Sequence, residues 1–156
     1  MNVLILEDEN RAAQHLQRLL KGVDPGIRVL QVLDTVRDAV SFLKNLSDPP
    51  DLIFSDVQLA DGLCFEVFKR VDVRVPIIFT TAYDQYAIEA FNTSGIDYLL
   101  KPLEEERLRR AVLKARQFSP VLDMQKLIAL TERRPVNSFK NRFLVKVGQQ
   151  IKIIPV

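Results

Sequence analysis

The 156-residue sequence predicts a doubly wound α/β fold built on a five-stranded parallel sheet. Three observations carry that expectation. Short apolar runs alternate with segments of helical periodicity over residues 1–118. The runs VLIL, LIFS, IIFT and YLL are continuous rather than alternating, as strands buried on both faces read. Each run ends in reactive polar residues: Glu7-Asp8, Asp56, Thr81 and Lys101-Pro102. In a parallel sheet those ends share one edge, and open α/β sheets bind ligands there.

The elements follow in order. A strand at 2–6 leads to a helix at about 9–22, where Ala12, Ala13, Leu16, Leu19, Leu20 and Val23 recur at helical spacing. Gly22 and Pro25-Gly26 stop it. A strand at about 27–33 precedes a helix at about 35–46, with Val36, Ala39, Val40 and Leu43 inward and Asp34 or Thr35 as its cap. Asp48-Pro49-Pro50 breaks the chain before a strand at 51–55. A short helix at about 62–70 follows Asp61-Gly62, and Pro76 opens a strand at 76–80. A helix at about 84–93 ends at Gly95, before a strand at 97–100. The last helix, about 103–117, starts acidic with Glu104, Glu105 and Glu106 and turns basic, which suits the helix dipole. Right-handed crossovers place helices on both faces. Alternation alone does not choose between the two common strand orders of this class.

Ser119-Pro120 closes the domain. Residues 121–134 read as a helix with Val121, Met124 and Ile128 on one side, and Pro135 ends it. The stretch FLVKVGQQIKIIPV reads as two strands around a turn at Gly148 to Gln150. The expected organisation is a domain at 1–118, a helical linker at 119–137 and a hairpin fragment at 138–156, the start of a second domain cut short at Val156. A lone hairpin is marginal in water.

Composition narrows the function classes. Apolar residues at 47% support a core, and charged residues at 27% mark an ordinary soluble surface. No apolar run approaches the roughly 20 residues that span a bilayer, so no membrane is expected as a partner. MNVLILEDEN has no basic n-region, so no signal peptide is expected. The single Cys64 excludes an internal disulfide and reads as packing, and a cytoplasmic setting is expected. Residues 1–118 hold 15 Lys/Arg against 18 Asp/Glu, a net −3, whereas residues 119–156 hold 7 against 2, a net +5. The basic tail could face polyanions or be plain solvated surface. Neither GxGxxG nor GxxxxGK[ST] occurs, which argues against a nucleotide- or flavin-binding module.

The residues at the strand ends suit one chemistry. Carboxylates held close together must take up protons or share a cation. An all-oxygen site suits Mg²⁺, which takes one or two carboxylates and keeps waters for phosphate. Glu7 or Asp8, together with Asp56, are the candidate ligands, and the Gln58 carbonyl could add a neutral oxygen. No His/Cys cluster exists for zinc, and the single His15 is expected on a helix surface. An Asp carboxylate can also be a nucleophile toward phosphorus. Lys101 would then hold a phosphate oxygen and Thr81 would donate to another. Taken singly, Asp8 or Asp34 reads as a helix cap and Lys-Pro as nothing. The joint pattern of acids, Thr and Lys-Pro after successive strands is what points to phosphoryl transfer. A Mg²⁺-dependent phosphohydrolase with Asp56 as nucleophile is the alternative. It would need an acid/base at position 58, where Gln58 stands.

At these residues the chain resembles the receiver domain of bacterial two-component response regulators. VLILEDE, LIFSDVQLADG, IIFTTAYDQYAIEAF and GIDYLLKPL match its motifs in order over about residues 1–118. The resemblance implies the flavodoxin-like strand order 2-1-3-4-5. It implies that a sensor histidine kinase phosphorylates Asp56, making the chain a phosphoacceptor rather than an enzyme. Glu7, Asp8 and Asp56 would form the Mg²⁺ site, with Asp8 and Asp56 the direct ligands. Thr81 would close on the phosphate, Tyr98 would be an outward-facing aromatic switch that swings in with it, Lys101 would bind phosphate, and the Lys101-Pro102 bond would be cis. The variant TTAYDQYAIEAF…IDYLLKP looks most like receivers attached to LytTR-type DNA-binding domains, and RFLVKVGQQIKIIPV resembles the beginning of such a domain. The implied output is homodimerisation on phosphorylation, with DNA bound only by the full-length protein. One departure is Ala60, where many receivers carry Pro. Gln58 and Tyr83, two residues beyond Asp56 and Thr81, are not carboxylate bases, so slow self-dephosphorylation is expected.

Overall fold

The computed structural model describes residues 1–83, 85–86 and 95–118. In chain order the elements are β1 (Asn2–Leu6), α1 (Asn10–Val23), β2 (Arg28–Leu33), α2 (Val36–Asn45), β3 (Leu52–Asp56), β4 (Gln58–Leu59), β5 (Gly62–Leu63), α3 (Phe65–Arg70), β6 (Ile77–Thr81), β7 (Gly95–Leu100) and α4 (Glu105–Gln117). Five strands form one parallel sheet in the order β2-β1-β3-β6-β7. Numbered within that sheet alone, this is 2-1-3-4-5, the flavodoxin-like order.

Period-two alternation explains how one sheet supplies two cores. Val3, Ile5, Phe54 and Ile78 face one side and pack on Leu16 and Leu20 of α1 and Leu108 and Val112 of α4. Leu4, Leu6, Ile53 and Phe79 face the other side, against Val36 and Ala39 of α2 and Phe65 and Val67 of α3. β1, β3 and β6 are covered on both faces, so they read as unbroken apolar runs. β2 is an edge strand and is only half-buried. Phe65 and Phe68 meet Phe79 with ring centroids 5.5 and 6.1 Å apart, the second pair edge-on.

Several boundaries differ from expectation. α1 runs one residue past Gly22, to Val23, because an isolated helical Gly only weakens a helix. Thr35, not Asp34, caps α2: its Oγ1 accepts from the Asp38 N–H at 2.9 Å. α1 begins after Glu9 with no side-chain cap, so Asp8 does not serve there. Residues 62–63, expected in a helix, pair antiparallel with Gln58–Leu59 in a small hairpin. Gly62 sits at φ 152°, outside the helical range, so α3 starts only at Phe65. Gly95 opens β7 instead of preceding it, and an irregularity in register between Ile77 and Ile78 absorbs the extra residue. Of the helix expected at 84–93 only residues 85 and 86 are described, as a turn, and the helix at 121–134 and the hairpin at 143–156 lie outside the described residues.

Candidate functional site

Strand topology brings the predicted residues to one edge. β1 delivers Glu7 and Asp8, β3 ends on Asp56, β6 ends on Thr81, and β7 hands the chain to Lys101. Carboxylate oxygens of Glu7, Asp8 and Asp56 all lie within 4.8 Å of one another. Glu7 and Asp56 are buried while Asp8 is exposed at the mouth. Buried strand termini make this arrangement stiff. The Glu7 N–H donates to the Leu33 carbonyl at 2.8 Å, and the Lys101 N–H donates to the Thr81 carbonyl at 2.8 Å. The Lys101-Pro102 peptide bond is cis.

Lys101 does more than await an anion. Its Nζ donates to Glu7 Oε1 at 2.7 Å and to Asp56 Oδ2 at 2.9 Å, bridging two acids from different strands. Glu7 Oε2 accepts from the Glu9 N–H at 3.1 Å, and Asp56 Oδ1 faces the Gln58 N–H at 3.4 Å. Burial pushes the Glu7 carboxyl up to about 7 and the Asp56 charge adds to the rise, although Lys101 opposes it. Burial pulls the Lys101 ammonium down, but its hydrogen bonds and charge attraction to Glu7 and Asp56 outweigh that and hold it above its usual range. A carboxyl this easily protonated is under-compensated by a single ammonium. Three convergent oxygen donors with excess negative charge fit a hard divalent cation such as Mg²⁺.

The opposite side of the edge carries the two hydroxyls. The buried Thr81 Oγ1 accepts from the Tyr83 N–H at 3.3 Å. The Tyr98 hydroxyl donates to the Tyr83 carbonyl. Tyr98, expected to face outward, is half-buried: it packs on the α2–α3 side of the core while its hydroxyl bond lies exposed. One residue's backbone therefore touches both hydroxyl-bearing side chains. His15, expected on the surface, is half-buried and lines a cleft of about 80 Å³ beside Glu7, Lys101 and Leu103. Cys64 is fully buried.

Two features escaped the sequence. The Lys101–Glu7 contact spans 94 residues and has no local signal. Asp61 stands in the sequence only as part of an Asp-Gly pair ahead of a helix, yet its carboxylate oxygens accept from the Val36 and Arg37 N–H groups at 2.5 and 3.1 Å. Burial works against the charged form of Asp61, but these two bonds outweigh it and hold its carboxyl below the usual range. An Asp-Gly pair beside a helix start predicted from Thr35 was the available hint.

The response regulator receiver domain family matches residues 3–113. Among curated relatives, the sensory transduction protein LytT of Bacillus anthracis is 37% identical over 117 residues, covering 73% of this chain and 46% of that protein. LytT of Bacillus subtilis is 32% identical over 157 residues, covering 99% of this chain and 61% of that protein. The transcriptional regulatory protein BtsR of Salmonella typhi is 37% identical over 119 residues, covering 75% and 48%. The chain thus spans about half the length of most of these relatives. The crystal structure of the response regulatory domain of mrkE from Klebsiella pneumoniae superposes with a TM-score of 0.64 at 31% identity, covering 74% of this chain and 94% of that one. The PhyR receiver domain of Erythrobacter litoralis gives 0.61 at 26%, covering 76% and 92%. The match over most of the chain, on a fold with the implied strand order, establishes that this chain belongs to the response regulator receiver domain family, with LytT-type regulators among its relatives.

Proposed function

We propose that the chain is the phosphoacceptor part of a two-component transcription regulator, receiving a phosphoryl group on Asp56 from a sensor histidine kinase. The observation that carries this reading is the meeting of Glu7, Asp8 and Asp56 within 4.8 Å, with Lys101 Nζ 2.9 Å from Asp56. An Asp56 oxygen attacks phosphorus, the P–N bond to the kinase imidazole breaks, and its electron pair leaves on the imidazole nitrogen. Asp8 and Asp56, backed by Glu7 and joined by the Gln58 carbonyl, hold Mg²⁺. Once bound, Mg²⁺ neutralises charge on the transferring group. Lys101 moves from its two carboxylates toward the new phosphate oxygens. Gln58 and Tyr83 offer no carboxylate base for water, so self-dephosphorylation is slow, with a phosphate lifetime longer than seconds.

Thr81 is drawn to the phosphate and lets go of the Tyr83 N–H. That frees a loop whose carbonyl also holds Tyr98. The population shifts to a packing that dimerises, and the dimer positions a LytTR-type DNA-binding domain in the full-length protein. In this reading residues 1–118 are the receiver, 119–137 the linker, and 138–156 the first part of that domain. Among the described residues no helix is long and apolar enough to cross a membrane.

Acetyl phosphate with Mg²⁺, followed by intact mass, tests the reading. One added phosphoryl group, absent without Mg²⁺ and absent in Asp56→Asn, is the expected result. Continuous turnover of phosphomonoesters instead would replace the acceptor with a phosphohydrolase. Light scattering with beryllofluoride should show a mass increase toward a dimer, and an unchanged mass would remove the dimerisation step.

A further inference from the structure

The segment after β2 touches both halves of the acid cluster. At one end the Leu33 carbonyl accepts from the Glu7 N–H at 2.8 Å. At the other, the hairpin that follows Asp56 hangs on the start of α2. The Ala60 N–H donates to the Asp34 carbonyl at 3.0 Å. The Asp61 carboxylate takes the Val36 N–H at 2.5 Å and the Arg37 N–H at 3.1 Å. A Cβ at Gly62 would already sit 4.0 Å from Val36 Cγ2, so the hairpin tip lies close on α2. Residues 33–37 therefore brace the end of β1 against the loop leaving β3.

The two clamps differ in kind. The Glu7 and Ala60 contacts are backbone bonds, which sequence changes at those positions leave in place. Asp61 is the clamp made by a side chain, and a charge-assisted one. It is exposed, its two oxygens are taken by the Val36 and Arg37 N–H groups, and the acid cluster of Glu7, Asp8 and Asp56 does not include it. Yet the chain from Asp56 to Asp61 carries the Gln58 N–H that faces Asp56 Oδ1, and the hairpin is closed by the Cys64 N–H on the Val57 carbonyl at 2.7 Å. Supports of this remote kind commonly set affinity through the precision of the ligands they hold.

We propose that Asp61 is a positioning residue for the cation site: by pinning the Gln58–Leu63 hairpin to the start of α2, it holds the Asp56 loop at the distance from Glu7 and Asp8 at which Mg²⁺ binds. This rests on the Mg²⁺ site proposed above. Asp61 acts through the loop, so its loss weakens Mg²⁺ binding and spares the phosphoryl chemistry once the cation is saturating.

The test is calorimetric Mg²⁺ titration of the whole chain, beside Mg²⁺-dependent labelling by acetyl phosphate. Asp61→Ala is compared with Thr35→Ala, which removes the other side-chain cap of the same helix without touching the hairpin. Asp61→Ala is expected to weaken Mg²⁺ binding about tenfold, the low end for a supporting partner. Its labelling rate at saturating Mg²⁺ returns to within about twofold of wild type. Asp61→Asn, which keeps one acceptor oxygen, recovers about half of the loss on a logarithmic scale. Thr35→Ala leaves the affinity within about twofold, although urea midpoints fall alike for both caps. Equal Mg²⁺ affinities in Asp61→Ala and Thr35→Ala overturn the proposal and make Asp61 a helix cap only. Absence of Mg²⁺ binding by wild type overturns the underlying site as well, so the two failures are told apart.

Discussion

The two halves of the carboxyl edge are built on different principles. The acid half, from β1 and β3, is buried, ion-paired and clamped by backbone bonds to Leu33 and Asp34. In the hydroxyl half, from β6 and β7, the Thr81 and Tyr98 side chains both meet the backbone of one exposed residue, Tyr83, beside the Lys101 N–H bond to the Thr81 carbonyl and the packing of Tyr98 on the core. A site that must bind a cation repeatedly needs preset ligands, because any reorganisation is subtracted from affinity. A site that must report a new charge needs contacts weak enough to exchange. Under the proposed function, the first half serves as input and the second as readout.

The largest expected effects break the acid half. Asp56→Asn should abolish acetyl-phosphate labelling completely while retaining the fold, as read by mass and circular dichroism. A labelled Asp56→Asn protein would remove the acceptor from this half. Lys101→Met should cost about 2 kcal/mol at pH 8, because it strands two buried carboxylates. Urea midpoints measure this, and the cost should shrink toward pH 5 as Glu7 takes up a proton.

A pH series sharpens the same point. The folded Glu7 carboxyl, pushed up to about 7, binds a proton that the unfolded chain releases at the ordinary 4.5. Between those values the native state holds more protons than the unfolded one. The stability due to Glu7 is therefore full below about pH 4.5 and is lost as pH rises through about 7. In EDTA, wild type minus Glu7→Gln should show that fall, and Mg²⁺ at pH 8 should reverse it. A flat difference would mean Lys101 compensates Glu7 fully.

The smallest effects fall on the hydroxyl half. Tyr98→Phe should cost only about 0.5 kcal/mol in a urea melt, as expected for one neutral hydrogen bond. It should nonetheless blunt the beryllofluoride-induced mass change, since that hydroxyl is one of two links to Tyr83. A cost comparable to that of Lys101→Met would erase the contrast between the halves.

Local patterns explain why so much of this was legible. β1, β3 and β6 are covered on both faces, which forces continuous apolar runs, and a chain leaving such a strand turns polar at once. Glu7, Asp8, Asp56, Thr81 and Lys101 could thus be placed on one edge from spacing alone. The β4–β5 hairpin was missed because its pairs, Gln58–Leu63 and Leu59–Gly62, are too short for any period to show. Gly95 was misplaced because a strand can open on Gly when an irregular register accommodates it.

By itself the sequence determined which polar residues end the strands and on which edge they stand, because strand burial and parallel connection leave few alternatives. Tertiary structure alone decided who pairs with whom. Lys101 on Glu7 and Asp56, Asp61 on the start of α2, and Tyr98 on Tyr83 join residues 94, 45, 25, 24 and 15 positions apart. Such pairs depend on how far each strand end projects and which side chain arrives first, and no periodicity in the chain encodes that.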